Sequence, residues 1–438
     1  MNKRILLLAI PNIITNITVP LLGMIDTAIV GHLNSAGSSL DYIGGVAVGS
    51  MIFTFIYWNF GFLRMGTSGF TAQAFGAKDM QESVNILSRA CFIAFTAAIT
   101  LILLQIPISW IAEKVIENKN SVLDLALTYF FIRIWAAPAT LGMYALKGWF
   151  IGMQDSKTPM WIAIFINILN IVFSLWFVLG LNMRIEGVAW GTVIAQYGGL
   201  VTTFIFLFLK YKNILPLFNF RSSLNRSKMK EFFKVNSDIF LRTLCLIIVS
   251  TYFTIASSKM PYPLLAVNTL LMQLFTLFSY FMDGFAYAAE SLCGRYVGAK
   301  DKSNLQKSVK YILLWGLILS LLVMIIYSFC GENILQILTN QQNVIATAKD
   351  YLIWTLLIPL CGFVAFLYDG ILIGMTKSAI MRNAIFIATA FYFLLFFLFR
   401  NSIGNNALWI GFLSYLLARS VFMAWFSWKS IFGKKIYN

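Results

Sequence analysis

Long apolar blocks separated by short polar segments fill almost the whole chain. They recur from Ile5 almost to the C-terminus, and about 20 apolar residues in a helix cross the hydrocarbon core of a bilayer. A membrane β-barrel would show short segments of alternating polarity instead. The pattern predicts twelve helices, numbered 1 to 12, near residues 5–32, 44–75, 84–110, 122–151, 159–181, 188–209, 237–257, 264–296, 311–330, 346–373, 384–400 and 407–427.

Composition agrees with a polytopic membrane protein. Hydrophobic residues make up 59% of the chain and charged residues only 11%, which is unlike a soluble globular domain. The first apolar block is too long for the core of a signal peptide, and no small-residue cleavage site follows it. We therefore expect it to be retained as helix 1, and we expect no separate soluble domain.

The net charge of +16 is concentrated in one set of alternate loops, above all in the segment 210–236. Basic loops of membrane proteins stay in the cytoplasm. The distribution predicts a multi-pass protein of the cytoplasmic (inner) membrane with both termini and this segment in the cytoplasm. Contact with anionic lipid headgroups explains the charge better than binding of nucleic acid.

The chain contains an internal repeat. The segment "FGAKDMQESV" near the end of helix 2 matches "VGAKDKSNLQKSV" near the end of helix 8, and Gly76 and Gly298 are 298 − 76 = 222 residues apart. Gly148 and Gly370, the first residues of "GWFIG" and "GILIG", keep the same offset. A constant offset in two separate matches indicates duplication, and six helices per repeat give both halves the same orientation.

The repeat predicts the domain organisation. We expect an N-lobe of helices 1–6 at 1–209, a basic cytoplasmic inter-lobe loop at 210–236, and a C-lobe of helices 7–12 at 237–438. Two such bundles around a central cavity are a common transporter arrangement.

One carboxyl group interrupts the apolar stretch "VPLLGMIDTAIVGHL" of helix 1. An ionised group at the centre of such a helix costs about 2.5–3.5 kcal/mol, and the side chain of Asp26 is too short to reach the interface. It must be hydrogen-bonded, protonated or neutralised by a bound cation. Pro11 and Pro20 remove helical hydrogen bonds and permit helix 1 to bend, so a titratable group lies on a predicted hinge.

Polar residues of helices 5 and 6 are candidate partners for Asp26. Asn170 and Ser174 are four residues apart and share one helix face, and Thr192 lies in helix 6. Two interpretations stay open: hydrogen bonds between helices, or oxygen ligands for a monovalent cation beside Asp26.

Other charged residues in apolar blocks have simpler explanations. Lys147 either extends its side chain to the interface or lines a cavity, and Arg64, Arg133 and Arg242 are expected to form structural pairs. Asp283 and Glu290 are seven residues apart and share a helix face. The candidate substrate-cavity residues are Asp283, Glu290, Asp369, Lys147 and Arg64.

Motifs of ATPases and membrane hydrolases are missing. The chain contains no GxxxxGK[ST], HExxH or GxSxG motif, and its five cysteines are scattered without CxxC spacing. We therefore expect no enzymatic activity, no cofactor and no metal cofactor site. An ion gradient is then the remaining source of energy for transport.

The chain resembles the multidrug and toxic compound extrusion (MATE) family, and specifically its DinF branch, over nearly its full length. The segments that carry the resemblance are "NITVPLLGMIDTAIVGHL", "GGVAVG", "FLRMGTSGFTAQAFGAKD", "NILNIV", "DIFLRTL", "FMDGFAYAAE", "YLIW" and "ALWIGFL". The resemblance implies an all-α fold of two six-helix lobes related by pseudo-twofold symmetry. It also implies export of cationic or amphipathic compounds in exchange for sodium ions or protons.

The resemblance also implies a coupling site in the N-lobe. The residues that match the branch are Asp26, Asn170, Thr192 and Tyr129, with Pro11 at the proline whose bending accompanies protonation. The family pattern resembles "NIVLD" where this chain has "NIVFS", so Ser174 replaces a second carboxylate. A single negative charge weakens a sodium site, which favours proton coupling and leaves sodium at Asp26, Asn170 and Thr192 as the alternative.

Two other transporter classes share parts of this organisation. A flippase for lipid-linked oligosaccharides has similar lobes, and Arg64, Arg133 and Lys147 would suit its anionic headgroups. A major-facilitator carrier would carry a basic run between helices 2 and 3, where this chain has "GAKDMQES". We expect small organic substrates and the lipid bilayer as partners, no nucleic acid, and a monomer.

Overall fold

The protein is described by a computed structural model that covers residues 1–31, 39–115 and 121–433. Within these residues all regular secondary structure is helical. The side chain of Pro20, the second predicted hinge residue, lies outside the described residues, although its backbone is helical.

Twelve helices of the described chain are long and apolar enough to cross a membrane. This confirms the predicted all-α polytopic fold. The spans, α1 to α12 in chain order, are Asn2–Gly31, Asp41–Gly76, Met80–Leu103, Ser121–Gly152, Lys157–Gly180, Ile185–Lys210, Arg226–Ser258, Leu264–Gly298, Lys302–Leu338, Gln342–Gly374, Ser378–Ile403 and Asn405–Phe432.

The helix ends differ from the predicted ends most strongly in α3, α7 and α9. Helix α9 was expected at 311–330 and α7 at 237–257, but they cover Lys302–Leu338 and Arg226–Ser258. Hydropathy marks only the part of a helix in lipid, and a helix continues into water when its outer turns are polar. Helix α3 ends at Leu103, and a separate helix, Gln105–Val115, follows it instead of a continuous helix to residue 110.

The chain forms two compact units: Ile14–Phe232, which we term the N-lobe, and Met1–Ile13 with Phe233–Asn438, which we term the C-lobe. The first turns of α1 therefore group with the second half of the chain, although the sequence placed residues 1–209 together. The reason is close packing on α8, because a Cβ atom on Gly284 would collide with Ile13 and the carbonyl of Ala9.

The segment 210–236 is more regular than the predicted loop. It contains a 3-10 helix, Lys212–Leu217, and a short helix, Phe220–Ser223, before α7 begins. Arg89 of α3 donates from Nε to the carbonyl of Ser223 at 2.9 Å, so buried hydrogen bonds hold the start of this segment against the N-lobe.

The backbone repeats at the predicted offset of 222 residues. Lys78 and Lys300 have positive φ angles of 60° and 55°, and Gln154 and Thr376 have 63° and 52°. L-residues adopt this conformation uncommonly. Two such pairs at one offset indicate that the same turns follow α2 and α8, and α4 and α10.

Glycines bring equivalent helices into close contact in both lobes. A Cβ atom on Gly148 of α4 would collide with the carbonyl oxygen of Arg64 in α2, and one on Gly370 of α10 with that of Ala286 in α8. Small residues allow membrane helices to approach this closely. The repeated "G-x-x-x-G" segments therefore set the distance between α4 and α2, and between α10 and α8.

We predict that Gly370→Ala destabilises the C-lobe by about 1–3 kcal/mol, the usual cost of overpacking. The added methyl group would meet backbone atoms, which cannot move independently of the helix. Thermal unfolding of the detergent-solubilised protein, followed by intrinsic tryptophan fluorescence, measures the effect.

Gly362→Ala on the same helix is the matched control. Its new Cβ atom would lie 3.5 Å from Leu416 Cδ1, an ordinary van der Waals distance, and alanine favours a helix. Equal unfolding temperatures for Gly370→Ala and wild type would contradict the conclusion that the glycines of the repeat set the distance between α10 and α8.

Candidate functional site

Asp26 is buried in α1, with 4% of its surface exposed. Among the described residues its Oδ1 atom has no hydrogen-bond partner. Arg133 and Tyr129 of α4 interact with it electrostatically. The predicted carboxyl group is therefore enclosed by protein and lies in the electrostatic field of Arg133.

Tyr129 and Arg133 are positioned by the glycines of α2 and by a break in α4. Arg133 ends the first part of α4, and one 3-10 turn, Ile134–Ala136, follows. Its Nη1 donates to the Tyr129 hydroxyl at 2.8 Å. Tyr129 is fully buried because Gly49 of "GGVAVG" has no side chain; a Cβ atom there would lie 2.6 Å from its Cδ1.

The helix 5 and helix 6 candidates form a second group. Asn170 donates from Nδ2 to Thr192 Oγ1 at 3.0 Å, and Thr192 donates to the Val188 carbonyl at 3.1 Å. Ser174 lies against Gly191, where a Cβ atom would collide with its hydroxyl. In the described chain Asn170 Oδ1 and Ser174 Oγ are buried without hydrogen-bond partners.

The predicted coupling residues thus form two groups, Asp26 with Tyr129, and Asn170 with Thr192. No hydrogen bond joins Asp26 to Asn170 among the described residues. Within the described structure each group includes a buried oxygen that accepts no hydrogen bond, which costs free energy unless a proton, an ion or water satisfies it.

A cavity of about 270 Å³ lies inside the N-lobe. Thr15 and Thr18 of α1 contribute to it, and Asn167 of α5 donates to the Thr18 carbonyl at 3.1 Å beside it. Lys147 is part of the lining, whereas Arg64, also predicted for the substrate cavity, is buried and is not among the lining residues.

The C-lobe acids have different surroundings. Asp369 of α10 forms ion pairs with Arg242 of α7 and Arg419 of α12, all three buried. Asp283 is half-buried on α8 and interacts with Arg419, and Glu290 is buried further along α8. The charge of Asp369 is therefore compensated within the protein, and attraction of a cationic substrate by these acids stays a prediction.

Sequence reasoning anticipated Arg242 as a member of a structural pair but missed Arg419. The signal was present, because Arg419 interrupts the apolar stretch "LSYLLARSVF" of predicted helix 12. A test of every charged residue in an apolar block, as applied to Asp26, would have found it.

We predict that Asp369→Asn destabilises the protein by about 3–5 kcal/mol, because it leaves two buried guanidinium groups without their counter-charge. Unfolding in detergent solution measures the loss.

Glu332→Gln serves as the control in the same lobe. Its partner Lys349 lies at 2.7 Å, but both side chains are nearly half exposed, and such pairs contribute about 0–1 kcal/mol. If the two variants unfolded alike, Asp369 would not be the buried counter-ion that links α7, α10 and α12.

Twelve spanning helices in two repeats, with a buried carboxyl group near an internal cavity, define a secondary-transporter fold. The family model MatE matches residues 11–176 and 239–398. The chain belongs to this family of MATE transporters, in its DinF branch, which makes it an integral membrane multidrug and toxin efflux transporter and not an enzyme.

Curated relatives from bacteria and animals are similar over most of the chain. The DNA damage-inducible protein F of Escherichia coli (strain K12) is 36% identical, over 97% of this chain and 91% of its own length. The multidrug and toxin extrusion protein 1 of Danio rerio is 24% identical, over 96% of this chain and 70% of its own length. The multidrug export protein MepA of Staphylococcus aureus (strain MSSA476) is 20% identical, over 89% of this chain and 86% of its own length.

Solved structures share the fold. A crystal structure of MATE in the bent conformation superposes with a TM-score of 0.84 at 20% identity, covering 97% of this chain and 94% of the other. The structure of an outward-facing multidrug resistance MATE transporter of the MOP superfamily superposes with a TM-score of 0.84 at 19% identity, covering 99% of this chain and 96% of the other.

Proposed function

We propose that this protein exports amphipathic organic compounds in exchange for protons, with Asp26 as the proton-binding residue. The observation that carries the proposal is the burial of the Asp26 carboxyl group with Oδ1 unpartnered among the described residues. Burial favours the neutral form of a carboxyl group, and Arg133 nearby favours the charged form. Opposing influences of this kind make both forms accessible.

The surroundings of Asp26 favour a proton over a sodium ion. A sodium site needs several oxygen ligands around one point, and a second carboxylate would strengthen it. Here Ser174 supplies a neutral hydroxyl, and Thr192 Oγ1 already exchanges hydrogen bonds with Asn170 and Val188. The unpartnered oxygens of Asp26 and Asn170 are nonetheless suitable ligands, so sodium coupling is the alternative that the experiment must separate.

Helix α1 connects the proposed proton site to the N-lobe cavity. Thr15 and Thr18, which line the cavity, lie between Pro11 and Pro20. Proline removes an intrahelical hydrogen bond, so the helix bends most easily on either side of these threonines. Protonation of Asp26 that bends α1 would move both side chains in the cavity and change the space open to a substrate.

The same proposal includes the cellular setting. Both termini face the cytoplasm on the basis of the basic loops, and the similarity to an E. coli protein supports the inner membrane. The transporter works as a monomer, because each coupling residue lies within a single N-lobe.

Proteoliposomes with an imposed proton or sodium gradient test the proposal, with export of a fluorescent amphipathic dye as the readout. We expect a proton gradient alone to drive transport by the wild type. Asp26→Asn should abolish this transport, because an amide cannot carry the proton. Asp124→Asn, which changes an exposed carboxyl group at the start of α4, should transport like the wild type.

Transport driven by sodium at fixed pH, with no response to a proton gradient, would overturn the proposal. Full proton-driven transport by Asp26→Asn would assign the coupling to another residue.

Ser174→Asp tests the role of the missing second carboxylate. Added negative charge beside Asn170 should create sodium-stimulated transport or sodium-dependent thermal stabilisation that the wild type lacks, because Coulomb attraction for the ion increases. Ser174→Asn is the neutral control. No sodium effect in Ser174→Asp would mean that this position does not determine the coupling ion.

A further inference from the structure

A second cavity, of about 180 Å³, lies in the C-lobe between α7 and α8. Most of the side chains that line it are polar but uncharged. Five of them carry a hydroxyl group: Ser250, Thr254 and Ser257 of α7, and Thr269 and Thr276 of α8. None of the lining residues given by the described chain is charged. The polarity of this cavity therefore comes from dipoles and not from ions.

Four of these hydroxyl groups use their hydrogen within their own helix. Each donates to the backbone carbonyl four residues earlier, at 2.8–3.2 Å, and the four are Ser250, Thr254, Thr269 and Thr276. A hydroxyl group has one hydrogen to donate and two lone pairs that accept. These four side chains therefore offer a ligand in the cavity only acceptors.

The amide group of Asn268, also in the lining, is fully occupied by neighbouring side chains. Its Nδ2 donates to Ser257 Oγ at 2.9 Å and to Asn405 Oδ1 at 2.7 Å. Its Oδ1 accepts from Asn405 Nδ2 at 3.1 Å and from Trp409 Nε1 at 3.0 Å. Among the described lining side chains, Ser257 and the exposed amide of Gln273 keep a hydrogen to donate. Acceptors thus outnumber donors in this cavity.

A protonated primary amine matches this arrangement. It has three N–H donors and no acceptor, as in the side chain of lysine, and its hydrogen bonds are about twice as strong as those between neutral groups. A quaternary ammonium carries the same charge but no N–H group, and a carboxylate brings only further acceptors. Phe253, Leu265 and Met272 of the lining supply apolar surface for the body of an amphipathic molecule.

We propose that the C-lobe cavity binds the primary ammonium group of an amphipathic compound through hydroxyl lone pairs, and that it selects among cations by their N–H donors. The inference rests on the proposed function only in taking the bound amine as a transport substrate.

Isothermal titration calorimetry on the full-length protein in phosphatidylcholine nanodiscs tests the selectivity, with empty nanodiscs as the background. Three probes share one ring system: naphthylethylamine, which is protonated at pH 7, its N,N,N-trimethyl ammonium analogue, and naphthylacetate. We expect the primary ammonium to bind at least about tenfold more tightly than the trimethyl analogue, because only the former donates hydrogen bonds. The carboxylate should bind more weakly than either cation.

The double variant Thr254→Val, Thr269→Val removes one hydroxyl group from each wall. Valine has nearly the shape of threonine, and both hydroxyl groups bond only within their own helix, so the fold should be retained. Binding of the primary ammonium should weaken about tenfold, and binding of the trimethyl analogue should change less than about twofold. Thr347→Val on α10 is the matched control, since its hydroxyl makes the same type of bond, to the Asn343 carbonyl at 2.9 Å, outside the cavity.

Equal affinity of the wild type for the two cations would overturn the inference, and this comparison needs no variant. A preference for the primary ammonium that persists in the double variant would overturn it as well, because the selective site would then lie elsewhere. The measurement uses no ion gradient, so failure of proton coupling in proteoliposomes would leave it unaffected.

Discussion

A charge inside the hydrocarbon layer has to be compensated by the protein itself, because the lipid supplies no hydrogen bonds and little dielectric screening. The two lobes meet this constraint differently. In the C-lobe, Asp369 is held by Arg242 and Arg419, an arrangement that joins three helices. In the N-lobe, Asp26 has an unpartnered oxygen in the described structure and only a partial counter-charge in Arg133. A compensated charge is suited to stability, and an incompletely compensated one to uptake of a proton.

The two halves of the chain share a duplicated backbone but differ in their charged side chains. Glycines at equivalent positions preserve the distance between α4 and α2 and between α10 and α8. Lys147 and Asp369 occupy equivalent positions, at the repeat offset of 222, yet their charges are opposite. Lys147 faces a cavity and Asp369 a pair of arginines. The helix contacts of the ancestral half were retained, while the charged positions diverged into a cavity wall and a structural cluster.

Hydropathy predicted all twelve spans because crossing a bilayer imposes a minimum length on each apolar block. It failed at helix ends, as in α7 and α9, since polar turns in water leave no hydropathy signal. The constant offset predicted the repeat but could not show that the first turns of α1 pack on α8.

Asp26 was found from its unfavourable position in an apolar helix, and the hydrogen bond between Asn170 and Thr192 fits their predicted proximity. The sequence marks Asp369, Arg242 and Arg419 as charged residues in apolar blocks, but it does not show that they pair, because the two arginines are 127 and 50 residues away from Asp369.

The position of Pro11 gives α1 a particular mechanical role. The two compact units divide between Ile13 and Ile14, two residues beyond this proline. The first turns of α1 pack against Gly284 of α8, while the part that carries Thr15, Thr18 and Asp26 belongs to the N-lobe. A bend at Pro11 would therefore fall close to the point where the helix passes from one unit to the other. Under the proposed mechanism, protonation of Asp26 changes the shape of the N-lobe cavity and acts on the same helix that begins in the C-lobe. Under that mechanism, such a helix would transmit the occupancy of a buried carboxyl group along its length, without a direct contact between Asp26 and the substrate.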